Sequence, residues 1–420
     1  MFPLTRHITT ICVAPEVDLL SNTYSVLFDG SNDYLSVKDT NDFSFGDGSN
    51  DSAFTVSVWA KIVAIADKYL ITKGTGSTRE WLFTFYANEK ISVDFRDESA
   101  GVWSARTSDS GVVSTQGNWT HYAFTYDGTG GSSASDGVTI YINGSAIAST
   151  ASNNAGYVAM ENTAQGLEFC KYNTAYMNAN LDEVSIWNKE LSATEITAIY
   201  DNNRLDLSQD SRGYSSSSNL KGWWRMGDGT SDEYPLIADQ TNTTLGSNLF
   251  DSDASLLRVG GTYNGTNPSE HATDTYGWSP VGDNNLLAND SGEIKITYAD
   301  NSSGAQFYFR NASDLSAEMD AHSIYKFTFD ARYTGGSSGV KGKVYDSVGY
   351  NFSDAFTTST ANYTIYFPTF ASPTSNFFRL DSIDTSNIVH IDNLSVKKVN
   401  GNPGFMNKMT ASDIEEDVPS

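Results

Sequence analysis

The residues best suited to chemistry in this sequence are aromatic rings set among Gly, Ser and Asn. An indole or phenol ring stacks on the apolar face of a pyranose while amides and carboxylates bond its hydroxyls. Trp103 lies in a Gly/Ser-rich loop, Trp59 is on the polar side of an alternating run, and Tyr276 precedes Trp278 in Tyr276-Gly-Trp278. Trp103, Trp59 and Tyr276 are therefore candidate carbohydrate-binding residues, whereas Trp119, Trp187 and Trp278 read as core. Covalent chemistry has little to work with. A retaining glycosidase needs two carboxylates about 5 Å apart, on such a strand spelled Glu-x-Asp-x-x-Glu. Glu318-Met-Asp320 begins that pattern and then places Ser323 where the second Glu belongs. His7, His121, His271, His322 and His390 form no HExxH pair, and no P-loop, GxGxxG or GxSxG motif occurs. Cys12 and Cys170 are not arranged as CxxC and read as buried thiols.

The 420 residues include 26 Lys and Arg against 51 Asp and Glu, a net charge of -25, so phosphate backbones and anionic lipid surfaces repel the chain. Nucleic acid is expected to be a poor partner on that ground, and none is assigned. No run of 18 apolar residues is present, so no transmembrane helix and no membrane insertion are expected. The start Met1 to Val17 lacks a small-x-small cleavage site and reads as no secretion signal. Apolar residues at 39% suffice for packed cores, while Gly, Ser, Thr, Asn and Tyr hold the positions that Lys and Glu hold on helices.

The elements that must position these groups are short alternating strands broken by turn residues, so the expected fold is all-β, with two antiparallel β-sandwich (jelly-roll) domains. The expected organisation is an N-terminal arm over 1–23, a first sandwich over 24–229, a linker over 230–247, a second sandwich over 248–399 and an acidic tail over 400–420. In 54–62, Phe54, Val56, Val58, Ala60 and Ile62 share one face and Thr55, Ser57, Trp59 and Lys61 the other, predicting one core face and one wet face. Asn143-Gly144 predicts a type I′ hairpin turn. Ser192 with Glu195, and Leu191 with Ile196, predict one capped helix over 192–200 on the sandwich edge. The Ser-rich stretch 201–219 predicts an exposed connection.

The stretches 26–35, 54–61, 118–127, 138–144 and 181–196 together resemble the laminin-G-like, concanavalin-type jelly-roll family. The second block resembles the jelly-roll carbohydrate-binding modules attached to xylanases, through Asn248-Leu-Phe250, Tyr276-Gly-Trp278, 324–332, 362–367 and 390–396. The first resemblance implies that the first and last strands share one Ca²⁺ through Asp29 and Asp182; the plain alternative is a turn at Asp29-Gly30 and a strand-edge charge at Asp182. Asp392, with Asp251 or Asp253, is the equivalent pair in the second module. The segments 220–229 and 404–419 are similar to closing segments of structural proteins from tailed phages of marine bacteria. That likeness implies an inserted second sandwich, with Trp223 and Trp224 near Phe405 and Met406, and with 412–417 exposed or bound to a neighbour.

These resemblances imply a non-enzymatic virion structural protein, a head decoration, fibre or tail component, displaying lectin-like modules that bind host-surface or environmental glycans. Other virion subunits would be held through the N-terminal arm, in a homo-oligomer or larger assembly on the virion surface. A carbohydrate-binding protein of a bacterial polysaccharide-utilisation system, extracellular or at the cell surface, is the alternative, and a polysaccharide hydrolase a third.

Overall fold

The computed structural model describes residues 19–64, 68–112, 116–250, 278–281, 286–291, 293–298, 304–309, 315–346, 349–370, 376–381 and 383–419. Cys12, Asp251, Asp253, Tyr276 and the arm before residue 19 lie outside them. The described chain is nearly all antiparallel β-structure arranged as two sandwiches.

The first sandwich faces an eight-stranded sheet against a nine-stranded one. The eight-stranded sheet runs Ser145–Ala146, Val138–Ile142, Trp119–Tyr126, Phe54–Ile62, Asn178–Trp187, Ser25–Asp29 and Ile414–Glu415, with Leu220–Trp224 also pairing to Asn178–Trp187. The nine-stranded sheet runs Ser149–Ser152, Val102–Ser108, Ile91–Asp97, Thr78–Phe85, Lys68–Thr75, Leu167–Phe169, Tyr34–Val37, Gly404–Asn407 and Leu236–Ile237. Alternation decides the facing: Phe54, Val56, Val58 and Ala60 point into the core, where Phe54 meets Phe124 edge-on with centroids 5.3 Å apart. Asn143 and Gly144 both take positive φ, 48° and 73°, between the paired strands Val138–Ile142 and Ser145–Ala146.

The expectation of a wet face on Phe54–Ile62 is overturned, because Thr55, Ser57 and Trp59 are buried as well. Their cover is a third layer built from the helix Ala193–Asp201 and the chain that follows it. The helix forms where expected: Ser192 Oγ accepts from Glu195 N at 3.3 Å while the Glu195 carboxylate accepts from Ser192 N at 3.0 Å. Rather than sitting at the sandwich edge, it presses Ile196 and Ile199 onto the sheet beside Tyr141, Trp187 and Trp223. The stretch 201–219 is likewise no exposed connection. Leu205, Leu207 and Tyr214 anchor in this layer, and the Trp187 indole donates to the Tyr214 hydroxyl at 2.8 Å. Each such large side chain removed from water contributes about 1.5–3 kcal/mol, enough for three anchors to hold a segment otherwise polar.

The second sandwich packs a six-stranded sheet on a five-stranded one. The first comprises Leu286–Asp290, Glu293–Thr297, Ile388–Asn400, Ile324–Thr334 and Ala361–Pro368, with Thr244–Asn248 paired to Ile388–Asn400. The second comprises Trp278–Val281, Gly304–Tyr308, Phe377–Asp381, Lys341–Tyr345 and Tyr350–Ala355. Between them lies a core rich in phenylalanine, Phe327 meeting Phe309, Phe329 and Phe378 with centroids 5.0–5.2 Å apart.

Residues 230–247, expected as a linker, and 400–420, expected as a tail, belong to these sheets. Leu236–Ile237 and Gly404–Asn407 pair with each other, and Gly404–Asn407 pairs on its other side with Tyr34–Val37. Ile414 then pairs with Val26, and Glu415 with Ser25. Within 412–417, Ser412 and Glu416 are exposed, while the rest is tied to the host: the Trp119 indole donates to Asp417 at 3.0 Å, Lys61 also contacts Asp417, and Asn180 Nδ2 donates to Glu415 at 3.1 Å. The second sandwich thus lies between Thr244–Asn248 and Ile388–Asn400, two strands paired to each other, inside a host whose two sheets close only after residue 404.

Candidate functional site

On the first sandwich, Trp103 sits at the second position of Val102–Ser108, opposite Arg96 in the register, and is 51% exposed. The Arg96 guanidinium lies 5.1 Å from its ring centroid. Asp94, on the same face two residues before Arg96, accepts from Arg96 Nη2 at 3.0 Å and from Ser92 Oγ at 2.8 Å. Burial pushes the Asp94 carboxyl up, and the adjacent guanidinium opposes that shift. An exposed indole beside a fixed cation can stack a sugar ring.

Trp59 does not belong with it. It is 6% exposed and stacks on Tyr200 of the helix with centroids 5.5 Å apart, because the third layer covers its face of the sheet. Tyr276 lies outside the described residues. Below Trp59, Ser57 Oγ and His121 Nε2 are 2.7 Å apart, a spacing suggestive of a nucleophile and base. Both are buried, burial pushes the imidazole down to about 3, and the sandwich offers a substrate no path to it. The pair is structural.

The shared Ca²⁺ site does not fit the residues. Asp29 faces Asn178 across the paired strands, so Asp182 lies four residues further along, about 13 Å away at 3.3 Å per residue. Asp29 Oδ1 instead accepts from Ser31 N at 2.7 Å and Asn32 N at 3.3 Å, closing its own turn. Asp182 is fully buried, accepting from Asn22 Nδ2 and Glu183 N, each at 2.8 Å. Burial first, then the neighbouring Glu183 charge, drives its carboxyl well above the usual range. Glu183 stands at a break in the strand register with φ 46° and accepts from Trp223 Nε1 at 2.6 Å and Arg225 Nε at 2.9 Å. Asp392 faces Asp330 in the register, and its expected partners Asp251 and Asp253 lie outside the described residues. Among the described residues no cluster of three or more His, Cys, Asp or Glu side chains is arranged to hold a metal.

The four expected packing residues divide between three environments. Trp224 shares the main core with Met406 and Met409 and donates to the Asn402 carbonyl at 3.0 Å. Trp223, one residue earlier and therefore on the opposite side of the strand, points into the third layer. Phe405 joins Leu236, Ile324, Tyr366 and Val399 at the junction of the sandwiches. There Glu233 receives Lys326 Nζ at 2.8 Å and the Tyr366 hydroxyl at 2.9 Å. Asp239 fastens the same region by accepting from Trp223 N at 2.9 Å and Thr241 N at 3.0 Å.

A second aromatic surface covers the outer face of the five-stranded sheet, and sequence reasoning missed it. Lys341, Lys343 and Tyr345 alternate outward from Lys341–Tyr345; Phe377, Arg379 and Asp381 do so from Phe377–Asp381; Tyr350 and Phe352 do so from the edge strand. Register brings Lys343 opposite both Arg379 and Phe352. Tyr345 lies 5.2 Å from Tyr350 and 5.1 Å from Phe377 between centroids, while Phe352 and Tyr350 remain 46% and 39% exposed. A cleft of about 660 Å³ begins beside the two exposed rings and reaches the junction, past Asn351, Asn362, Tyr363, Tyr366 and Tyr234. Rings and amides in one groove are a sugar-recognition chemistry. The signal was present in Lys341-Gly-Lys-Val-Tyr345, whose alternate residues are all polar-tipped, but it becomes a surface only through the pairing of three strands.

Residues 29–197 match Laminin_G_3, the concanavalin A-like lectin/glucanases superfamily. A carbohydrate-binding candidate from Bacteroides ovatus ATCC 8483 is 17% identical over 52% of this chain and 56% of that chain, with a TM-score of 0.37. Domain 4 of the extracellular GH43 arabinanase AbnA from Geobacillus stearothermophilus is 18% identical over 36% of this chain and 68% of that chain, TM-score 0.27. The CBM22-1–GH10 modules of xylanase 10B from Clostridium thermocellum are 13% identical over 29% of this chain and 26% of that chain, TM-score 0.24. No curated protein matches the sequence. The fold of residues 29–197 is a concanavalin A-like jelly roll.

Proposed function

We propose that this protein is a non-catalytic glycan-binding protein in which both sandwiches present aromatic faces to sugar. The observation that carries the reading is the outer face of the five-stranded sheet, where Tyr350 and Phe352 stay exposed beside a groove lined with amides and phenols. Most other large aromatics of the described chain are buried, so leaving two adjacent rings partly in water forgoes a share of the about 1.5–3 kcal/mol that full burial of each would contribute. The concanavalin A-like match of the first sandwich supports the same class. Its non-catalytic character is supported by where the acids lie. Asp182 and Glu183 are sealed in the core, and Asp320, in the incomplete glycosidase pattern, receives Lys398 Nζ at 2.7 Å.

The setting we propose is a virion surface, as a head decoration, fibre or tail component in a larger assembly, on the strength of the phage-like segments 220–229 and 404–419. A bacterial extracellular surface is the competing setting, and mass spectrometry of purified particles against culture supernatant separates the two. The binding reading is tested on a panel of immobilised polysaccharides with the full chain. Phe352→Ala is expected to weaken binding at least about tenfold, the equivalent of 1.4 kcal/mol, without lowering the melting temperature. Unchanged binding by Phe352→Ala and Tyr350→Ala together, measured in a Trp103→Ala background, refutes it.

A further inference from the structure

We infer that the outer face of the five-stranded sheet selects an anionic polysaccharide, one bearing carboxylate or sulfate groups; this rests on the reading of that face as a glycan site. The chain has about half as many basic as acidic residues, 26 against 51, so an average patch of its surface is negative. Here cations gather. Lys341, Lys343 and Arg379 stand on two neighbouring strands beside Asp381, which pairs Lys343, with Asp346 and Asp354 in the edge hairpin and Glu233 in the adjoining cleft.

Among the described residues neither Lys341 nor Arg379 makes an ion pair, although Asp381 also stands opposite Lys341 in the register. Lys341 Nζ lies 4.2 Å from the Phe352 ring centroid, and the Arg379 guanidinium is 5.3 Å from the centroids of both Tyr350 and Phe377. Arg379 Nη2 donates to the Tyr350 hydroxyl at 2.7 Å, and its Nε is buried without a hydrogen-bond partner. An orphaned guanidinium nitrogen is costly, and a planar oxyanion is the group that its fork geometry matches. Lys341 therefore lies over the Phe352 ring, and Arg379 over the rings of Tyr350 and Phe377. A sugar seated against Tyr350 or Phe352 brings an acidic substituent to Arg379 or Lys341, whereas a neutral sugar leaves both without an ion-pair partner. The surrounding negative charge repels polyanions at a distance, so recognition is confined to contact and weakens as salt screens it over about 8–10 Å.

The test is affinity electrophoresis of the full chain in gels containing polygalacturonate, a sulfated galactan such as carrageenan, or neutral xylan. Retardation by at least one acidic polymer is expected to exceed that by xylan tenfold or more, to fall on raising NaCl from 50 to 500 mM, and to drop at least fivefold in Lys341→Gln and in Arg379→Gln. The polymer retained identifies carboxylate or sulfate as the preferred group. Lys341→Arg retains binding and guards against a packing effect of the Gln variants, whose melting temperatures are measured alongside. Equal retention on xylan, or acidic-polymer binding indifferent to both Gln variants, overturns the selectivity. If Phe352→Ala still abolishes that binding, only the selectivity has failed. If Phe352→Ala and Tyr350→Ala leave binding to all three polymers intact, the glycan face itself is wrong.

Discussion

Asp239→Asn should change how the stability of the first sandwich depends on pH. Asp239 is buried and fastens Trp223 and Thr241 where the host strands meet the inserted module. Burial, against hydrogen bonds from Thr241 and Trp223, pushes its carboxyl from 3.8 up to about 6. A carboxyl with a raised folded-state value binds its proton more tightly in the native state. Stability is therefore fullest below 3.8 and declines as pH rises to about 6, then levels off. The separation is worth about 3 kcal/mol at 1.36 kcal/mol per tenfold change in proton affinity. Asp182, Glu183, Asp51 and Asp232 are also raised, burial being the largest cause for each. The wild-type curve alone mixes all of these, so the informative quantity is the difference between variant and wild type. Asn carries no charge to bury, and that difference should move in its favour by about 3 kcal/mol between pH 3 and pH 7. On a domain of this size that is about 6–12 °C in the melting temperature of the first sandwich. Differential scanning fluorimetry across the range measures it. A flat difference curve, or one that moves against the variant with rising pH, refutes the reasoning.

Met406→Ala should destabilise the first sandwich by about 2–5 kcal/mol, since Met406 lies in its core opposite Leu35 in the register; a denaturant transition unchanged in that domain refutes the placement. Asp29→Asn should leave any calcium response of the melting temperature as in wild type, because Asp29 and Asp182 do not converge. A calcium-dependent rise present in wild type and lost in the variant contradicts this. Trp103→Ala should weaken glycan binding to the first sandwich without shifting its melting temperature by more than about 2 °C, surface changes being worth about 0.5 kcal/mol or less. Unaltered affinity, measured in a Phe352→Ala background, removes Trp103 from the site.

Local signals in the sequence carried over and surface assignments did not. The capping box at Ser192 and the turn at Asn143-Gly144 depend on a few adjacent residues, so their chemistry is complete in the sequence. The strand Phe54–Ile62 was legible by alternation, but which of its faces meets water depends on Leu205, Leu207 and Tyr214, spread among polar residues more than 140 positions away. The pairing of Ile414 with Val26 was hidden for a related reason: a short strand completing a sheet edge contributes backbone hydrogen bonds, and an acidic composition conceals it. Among candidate site residues, the exposure of Trp103 was legible from the Gly and Ser around it, although it stands in a strand rather than the expected loop. The cationic aromatic face was not, because Lys343, Arg379 and Phe352 become neighbours only through two strand registers.

The nesting of one sandwich within the other constrains the order in which the protein can be made. Until residues 404–415 leave the ribosome, Tyr34–Val37 lacks its partner Gly404–Asn407 and Ser25–Asp29 lacks Ile414–Glu415. For the whole time that the inserted module is being translated, the host therefore waits as an open sheet with unpaired edges, a template for strand addition between nascent chains. The inserted sandwich matures first and, by pairing Thr244–Asn248 with Ile388–Asn400, delivers the returning chain to the gap it must fill.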